Sequence, residues 1–515
     1  MMFNNNSEYH SILFNTADMH LPEEQCAKPD FFMNLNLDQV VDAIVDGKEE
    51  YNLKPFFYQN LQDTSTVHYR LDIMRELENT ELLNSIVAFS AKMKKIREYI
   101  GFSRKVHNSH QREKWHLDAA NQYCSSLMEL KRSLTEVQLD SRGLTAFYSW
   151  LTDYIQSDSF KSLSANTHDL INAFNNIRYS IRLESGKVTI DPDTGTEDYC
   201  AEINGTFAKF SEVEFDYRIQ FFSELEMCEL ENKILELVRK SNMDVFAELD
   251  IFAGKHADFI APAIMCFDRE IQFYVSYLEY IGKLKRRGLE FAYPEVTLDK
   301  RLEVTGGYDL ALAYKNKDLA MPVVPNDFTL GNGERIFILT GPNQGGKTTF
   351  ARAFGQILFL ASIGCPVPCR KAGLFLFDRL FTHFSTEESP GLNAGRLKEE
   401  LIRLNCIMKD ITSNSIVVLN ELFATTTSHD AYTMGKRILE RFISLDCVCL
   451  YVTHIHELAA ISEKMISLAA TVISGKDAIR TYKIVRKPAD GLAYANTITA
   501  KYDLSFSRIK ERIGQ

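Results

Sequence analysis

What the chain lacks narrows its class before any motif is read. No uninterrupted apolar stretch reaches the roughly 18 residues that a membrane helix needs. The start, Met1-Met2-Phe3-Asn4-Asn5-Asn6, has no basic segment followed by an apolar run. No secretory signal is read there, so a cytoplasmic protein with no membrane partner is expected. The ten cysteines include no Cys-x-x-Cys pair. Cys365 and Cys369 bracket Pro366-Val367-Pro368 without a second Cys/His pair nearby, and Cys447 and Cys449 sit in an apolar run. They read as small buried thiols rather than metal ligands. Positive charge is not in excess either. The net charge is −11, which excludes a protein built to coat DNA indiscriminately. The local basic runs, Lys92-Lys94-Lys95-Arg97-Arg104-Lys105 and Lys283-Lys285-Arg286-Arg287, read as solvated helix faces. Internal repeats and low-complexity segments are absent.

The 515 residues predict two to four domains, and 45% hydrophobic content suffices for sizeable cores. Glycine and proline are sparse up to about Lys300, and the pattern there is mostly helical. Met227, Leu230, Ile234 and Leu237 repeat at heptad-like spacing among Glu and Lys, which predicts a long helix packed lengthwise. A second helix is expected from about Pro262 to Lys285, with Ile271, Val275, Leu278 and Ile281 as core positions. Between them, Tyr179–Phe210 holds Lys187-Val188-Thr189-Ile190 and then Asp191-Pro192-Asp193-Thr194-Gly195, which is strand and turn chemistry. After Arg301, short apolar runs alternate with helical stretches. Arg335–Leu339, Ser415–Leu419 and Val448–Val452 read as buried parallel strands of an α/β sheet.

Gly341-Pro342-Asn343-Gln344-Gly345-Gly346-Lys347-Thr348 fits G-x-x-x-x-G-K-[ST] completely, after a strand-like run and before an amphipathic helix. That context identifies a Walker A motif. Gly341, Gly345 and Gly346 let backbone N–H groups approach phosphates closely. The helix N-terminus adds positive potential. Lys347 supplies a point charge for the β/γ-phosphates, and the Thr348 hydroxyl suits Mg²⁺. Downstream, Ile416-Val417-Val418-Leu419-Asn420-Glu421 has the form of a Walker B strand, with Glu421 placed to orient or deprotonate water. The usual Asp is Asn420, an amide that reaches Mg²⁺ through metal-bound water. The exchange reduces a charge-assisted contact of about 1.5–3 kcal/mol toward about 0.5–1.5 kcal/mol. Thr453-His454 ends the next strand-like run. His454 reads either as a γ-phosphate sensor or as a surface histidine beside His456.

These segments resemble the ATPase domain of the MutS family of DNA mismatch-repair proteins, from about Val323 onward. Thr340–Thr349 resembles that family's TGPNMGGKST, Asp378-Arg379-Leu380-Phe381-Thr382 its DRIFT, and Asn420–Asp430 its DEIGRGTSTYD. Val452-Thr453-His454 resembles its ATH, and the stretch from Ala493-Tyr494 through Leu504 to Ile509 its C-terminal helix-turn-helix. Phe246-Ala247-Glu248-Leu249-Asp250 is similar to part of a lever helix.

The resemblance implies a long-helix core and lever region followed by a P-loop NTPase α/β domain of the ABC/MutS type. Its expected layout is an N-terminal extension (1–45), helical core and lever arms (46–300) with a small β insertion near 179–210, an ATPase domain (301–485) and a dimerisation helix-turn-helix (486–515). ATP and Mg²⁺ are the implied cofactors, and DNA and a second copy of the chain the implied partners. Thr349 and Asn326 join the nucleotide-binding set by resemblance, with Val323 where the family has a base-stacking aromatic. The composite dimer of the family places Gly395, Arg396 and Asp430 at the trans site, with Gly395 where the family has serine. Space for mismatch-recognition and connector domains is missing ahead of the helical half, and no nuclease tail is expected.

Two functions from different classes follow. One is a dimeric ATPase that engages DNA through helical arms in repair or recombination, without mismatch reading. The other is a nucleotide-gated interaction protein with weak or absent turnover, toward which Asn420, Gly395 and the acidic charge point. An ABC transporter ATPase is disfavoured because no LSGGQ is present. A chromosome-maintenance ATPase is disfavoured because Lys347 and Asn420 are only 73 residues apart.

Overall fold

The structure is a computed structural model that describes residues 9–16, 27–184, 187–192, 227–316, 323–384, 395–424, 426–473 and 479–488. Contacts group the chain into two units. One comprises Met1–Tyr9, Thr80–Leu139 and Thr145–Asp268, and the other His10–Asn79, Asp140–Leu144 and Arg269–Gln515. This differs from a division at residues 45 and 300. Residues 10–79 pack with the later α/β half because their apolar side chains find their cover there. Leu35 lies against Gly355, and Arg70 donates to the carbonyl of Ile363 at 3.0 Å.

The first unit is helical. Thr80–Lys105 and Ser109–Glu136 are joined by three residues and pack side by side. Leu82, Ile86, Phe89, Met93 and Ile96 form the buried stripe of the first helix, at spacings of three and four. Asn108 caps the second by accepting from the N–H groups of His110 and Gln111. The helices Asp158–Asn175, Glu229–Ser241 and Met243–Lys255 complete the bundle. The expected long helix over Met227–Leu237 is a 13-residue helix that begins at Glu229 and leaves Leu230 exposed. Strands β1 (Tyr179–Glu184) and β2 (Lys187–Pro192) form an antiparallel hairpin. Asp191 and Pro192 pair with Ser180 and Tyr179, so the strand runs through the Asp-Pro step, and the rest of the expected turn, residues 193–195, lies outside the described residues. The rest of the expected insertion lies outside the described residues.

The second unit carries strands β3 (Glu295–Thr297), β4 (Leu302–Gly307), β5 (Asn326–Leu330), β6 (Ile336–Thr340), β7 (Lys371–Phe375), β8 (Leu380–Phe384), β9 (Ile416–Asn420), β10 (Val448–Val452), β11 (Met465–Ile473) and β12 (Ile479–Arg486). The order β3-β7-β4-β5 makes one sheet and β12-β11-β6-β10-β9-β8 the other. In the larger sheet β8, β9, β10, β6 and β11 are parallel, and β12 closes one edge antiparallel. Every residue of β6, β9 and β10 is buried, as expected for parallel strands covered on both faces. The mixed helical and α/β architecture expected from the sequence is what forms. The expected helix-turn-helix lies outside the described residues, apart from the end of β12 and the two residues after it. Among the described residues no helix is long and apolar enough to cross a membrane.

The helix Lys347–Ser362 follows β6 and is buried along most of its length. Phe350 and Phe354 pack with Phe328 and Phe337 from the two sheets. Gln356 is fully buried and fully used. Its amide donates to Leu35 O at 2.7 Å and to Asp309 Oδ1 at 2.9 Å, and it accepts from the Leu310 N–H at 2.8 Å. That network sets the short helix Leu310–Lys315, which walls the cavity described next.

Candidate nucleotide site

Three parallel strands end at one line. In the register, Leu339 of β6 pairs with Val452 of β10, which pairs with Asn420 of β9. The residues that follow, Thr340-Gly341, Thr453-His454 and Glu421, therefore emerge together at the carboxyl edge of the sheet. The Glu421 N–H donates to Val452 O at 2.9 Å and the Thr453 N–H to Leu339 O at 3.0 Å, which locks the three ends.

The loop after β6 needs its glycines. Gly341 has φ +136°, and a Cβ there would sit 2.7 Å from Ala470 Cβ and 3.0 Å from the Ala470 nitrogen. Gly346 has φ +90° and opens the Lys347–Ser362 helix. Gln344 is left-handed as well, at φ +59°. Asn343 and Gln344 are exposed, Pro342 is half-buried, and the Gly345 N–H turns back to Pro342 O at 3.2 Å. Lys347 is buried and curls onto the loop. Its ammonium donates to Gly341 O at 3.0 Å and Pro342 O at 3.1 Å, with Glu421 Oε1 3.9 Å away. Burial lowers its pKa, and Glu421 opposes that shift.

Thr348 Oγ1 and Asn420 Oδ1 stand 3.5 Å apart, at the edge of hydrogen-bonding range. Asn420 is buried at the end of β9. Glu421 is left-handed at φ +56°, a conformation that costs a non-glycine residue of order 1–3 kcal/mol and concentrates at functional sites. His454 Nε2 lies 3.3 Å from Glu421 Oε1. The hydrogen bond from His454, with Lys347 adding to it against burial, holds the Glu421 carboxyl below its ordinary range. His454 is itself exposed.

Several of these groups face a cavity of about 600 Å³. Gln344, Gly346, Lys347, Thr348, Thr349 and Glu421 line it together with Tyr308, Leu312, Val323, Val324 and Tyr482, whereas Asn420 and His454 are not among the lining residues. Asn326 lines it too, but its side chain is committed to β12. It donates to Tyr482 O at 3.2 Å and accepts from the Ile484 N–H at 2.8 Å. Gly395 and Asp430 are not among the lining residues. Gly395 is the exposed cap of the helix Arg396–Asp410, and Asp430 bonds Thr427 at the start of the helix Ser428–Leu445.

Sequence reasoning missed the part played by β12. Between the pairs Ala470↔Ile484 and Val472↔Arg480 the hairpin carries a bulge, in which Tyr482 is left-handed at φ +57°. Thr471 Oγ1 bonds the Thr481 hydroxyl at 2.6 Å and the Lys483 carbonyl at 3.0 Å, fixing the bulge. Arg480 hydrogen-bonds Gln344, and Tyr482 lies over Gly346. The available signal was the pair of basic residues, Arg480 and Lys483, around an aromatic in a strand-like run.

A family profile described as MutS domain V matches residues 337–500, and one described as the MutS2 N-terminal domain matches residues 62–192. The chain belongs to the MutS family. The DNA mismatch repair protein MutS of Erythrobacter litoralis is 29% identical over 214 residues, 40% of this chain and 24% of that protein. The protein of the same name from Rickettsia rickettsii is 27% identical over 270 residues, 51% of this chain and 30% of its own length. The DNA mismatch repair protein MSH2 of Saccharomyces cerevisiae is 35% identical over 144 residues, 28% of this chain and 15% of its own. These matches span under a third of the curated relatives' length.

Proposed function

We propose that this MutS-family chain binds ATP with Mg²⁺, hydrolyses it slowly, and acts on DNA as a homodimer in repair or recombination. The observation that carries the reading is that Lys347, Thr348 and Glu421 line a single cavity, with Asn420 3.5 Å from Thr348 and His454 3.3 Å from Glu421. The residues fit the nucleotide. The loop is closed to any Cβ at Gly341, which lets backbone approach a phosphate closely, and Lys347 would release two carbonyls to meet it. The donor set of one hydroxyl and one amide oxygen suits Mg²⁺, which when bound supplies charge neutralisation on the phosphate oxygens. Thr348 and Asn420 are the residues that would hold it. Glu421, kept ionised by His454, takes the proton of the attacking water. Tyr482, which lies over Gly346 and lines the same cavity as Val323 and Val324, offers an aromatic ring to the base.

The helical arms of residues 46–300 serve as the DNA-engaging half, and the segment 486–515 as the dimerisation element. Gly395, Arg396 and Asp430 complete the partner's site, a role supported by the place of Gly395 and Asp430 outside this chain's own cavity. Several basic residues are already engaged. Lys92 pairs with Glu129 and Arg97 with buried Asp268, which leaves Lys94, Lys95, Arg104 and Lys105 exposed for phosphate.

A nucleotide-gated protein without turnover is the second reading, favoured by neutral Asn420 and by the contact of Lys347 with Glu421. Light scattering with and without Mg-ATP, together with salt titration of duplex, branched and single-stranded DNA binding, tests the proposal. ATP-dependent dimers with salt-sensitive DNA binding support it. A monomer at high concentration with ATP, or no DNA binding at low salt, refutes the corresponding half.

A further inference from the structure

The first unit contains a cluster that the nucleotide reading does not use. His110 and Glu113 stand one turn apart at the start of the helix Ser109–Glu136, and Asp250 lies on the helix Met243–Lys255. His110 Nδ1 is 3.3 Å from Glu113 Oε2 and 3.7 Å from Asp250 Oδ1, and one donor atom from each of the three residues falls within 4.8 Å of the others. Tetrahedral ligands at about 2.0–2.2 Å from a zinc ion are separated by about 3.3–3.6 Å, so the observed spacing needs only small adjustments. Among the described residues, the ion pairs of Glu113 and Asp250 within 4 Å are with His110, Glu113 shares a hydrogen bond with Asp250, and Arg112 and Arg239 act on Glu113 through space.

The imidazole is held in place. The His110 ring meets Phe246 edge-on at 5.4 Å, and its backbone N–H donates to the Asn108 side chain at 3.0 Å. Phe246 shares its helix with Asp250, four residues on, so the same packing that orients the ring also sets the carboxylate. His110 and Glu113 are mostly buried, while Asp250 is half exposed, so ions can enter and a position for water stays open. A cavity of about 310 Å³ lined by His110, Trp115, Phe174 and Phe246 adjoins the cluster.

We propose that His110, Glu113 and Asp250 form a divalent transition-metal site that ties the start of the Ser109–Glu136 helix to the Met243–Lys255 helix. One imidazole with two carboxylates selects Zn²⁺ or Mn²⁺ over Mg²⁺, for which an all-oxygen set is preferred. The site does not depend on the nucleotide reading.

The test uses the full chain, stripped with chelator and free of nucleotide. Cys228 and Cys406 are exposed thiols that also take zinc, so both are changed to Ser in the background. Zn²⁺ is titrated by calorimetry and Mn²⁺ by the spin resonance of the free ion. The expected result is one ion per chain and a higher melting temperature with metal. Losing a direct ligand costs at least what losing an outer-shell partner does, roughly 10–100-fold in affinity. Glu113→Gln and Asp250→Asn should each show that loss with unchanged circular dichroism. If Glu113→Gln fails to fold, the more exposed Asp250→Asn carries the comparison. Absence of binding at millimolar Zn²⁺ and Mn²⁺ overturns the proposal, and so does equal affinity in the background protein and Asp250→Asn.

Discussion

Replacing Asn420 with Asp tests how the metal position is built. Asn420 ends β9, is buried, and has its Oδ1 3.5 Å from Thr348 Oγ1. Asp is isosteric, so the strand register with Phe384 and Val452 should survive. The change adds a negative charge where Mg²⁺ is proposed to sit, at a buried position. A neutral contact of about 0.5–1.5 kcal/mol becomes a charge-assisted one of about 1.5–3 kcal/mol. The gain of about 1–1.5 kcal/mol corresponds to about a 5- to 13-fold lower Mg²⁺ midpoint. The assay is nucleotide binding by a fluorescent ATP analogue, titrated with Mg²⁺ at fixed analogue. An unchanged or higher midpoint in a folded Asn420→Asp protein would refute the placement of the metal between Thr348 and Asn420.

Tyr482→Ala should weaken ATP about 2- to 13-fold, from the roughly 0.5–1.5 kcal/mol of an aromatic contact, and leave inorganic tripolyphosphate unaffected. Equal losses for both ligands would place the ring away from the base. Asp63 caps the helix Thr64–Glu76, and although burial opposes it, hydrogen bonds from Ser65 and Thr66 hold its carboxyl at about 2. Because that folded value lies below the unfolded one, the stabilisation is present above about pH 4 and disappears as pH falls toward 2. Asp63→Ala should therefore cost about 1 kcal/mol in urea unfolding at pH 7 and progressively less below pH 4, and a cost that does not change with pH would contradict the cap assignment.

The loop and strand ends were legible because their chemistry is local. Gly341, Gly346, Lys347 and Thr348 lie within eight consecutive residues, and a buried apolar run announces each of β6, β9 and β10. The order β11-β6-β10-β9 is a property of the sheet, and only that order brings Glu421 and His454 within 3.3 Å. The role of Tyr482 was hidden for the same reason. Its position depends on a bulge closed by Thr471 and Thr481 and on Asn326 reaching across from β5, neither of which periodicity encodes. The packing of residues 10–79 on the α/β half was hidden as well, since Leu35 against Gly355 and Gln356 to Leu35 O join positions 320 residues apart or more.

The central claim is that Glu421, held ionised against His454 beside Lys347, handles water at a nucleotide site. Steady-state ATP hydrolysis with Mg²⁺, with and without several DNA structures, measured beside Glu421→Gln, tests it most directly. The account predicts slow turnover in the wild type, loss of about 10²-fold or more in Glu421→Gln, and retained ATP binding in both. Turnover that survives the substitution would contradict it, and tight binding with no turnover in either protein would leave the nucleotide-gated switch as the function.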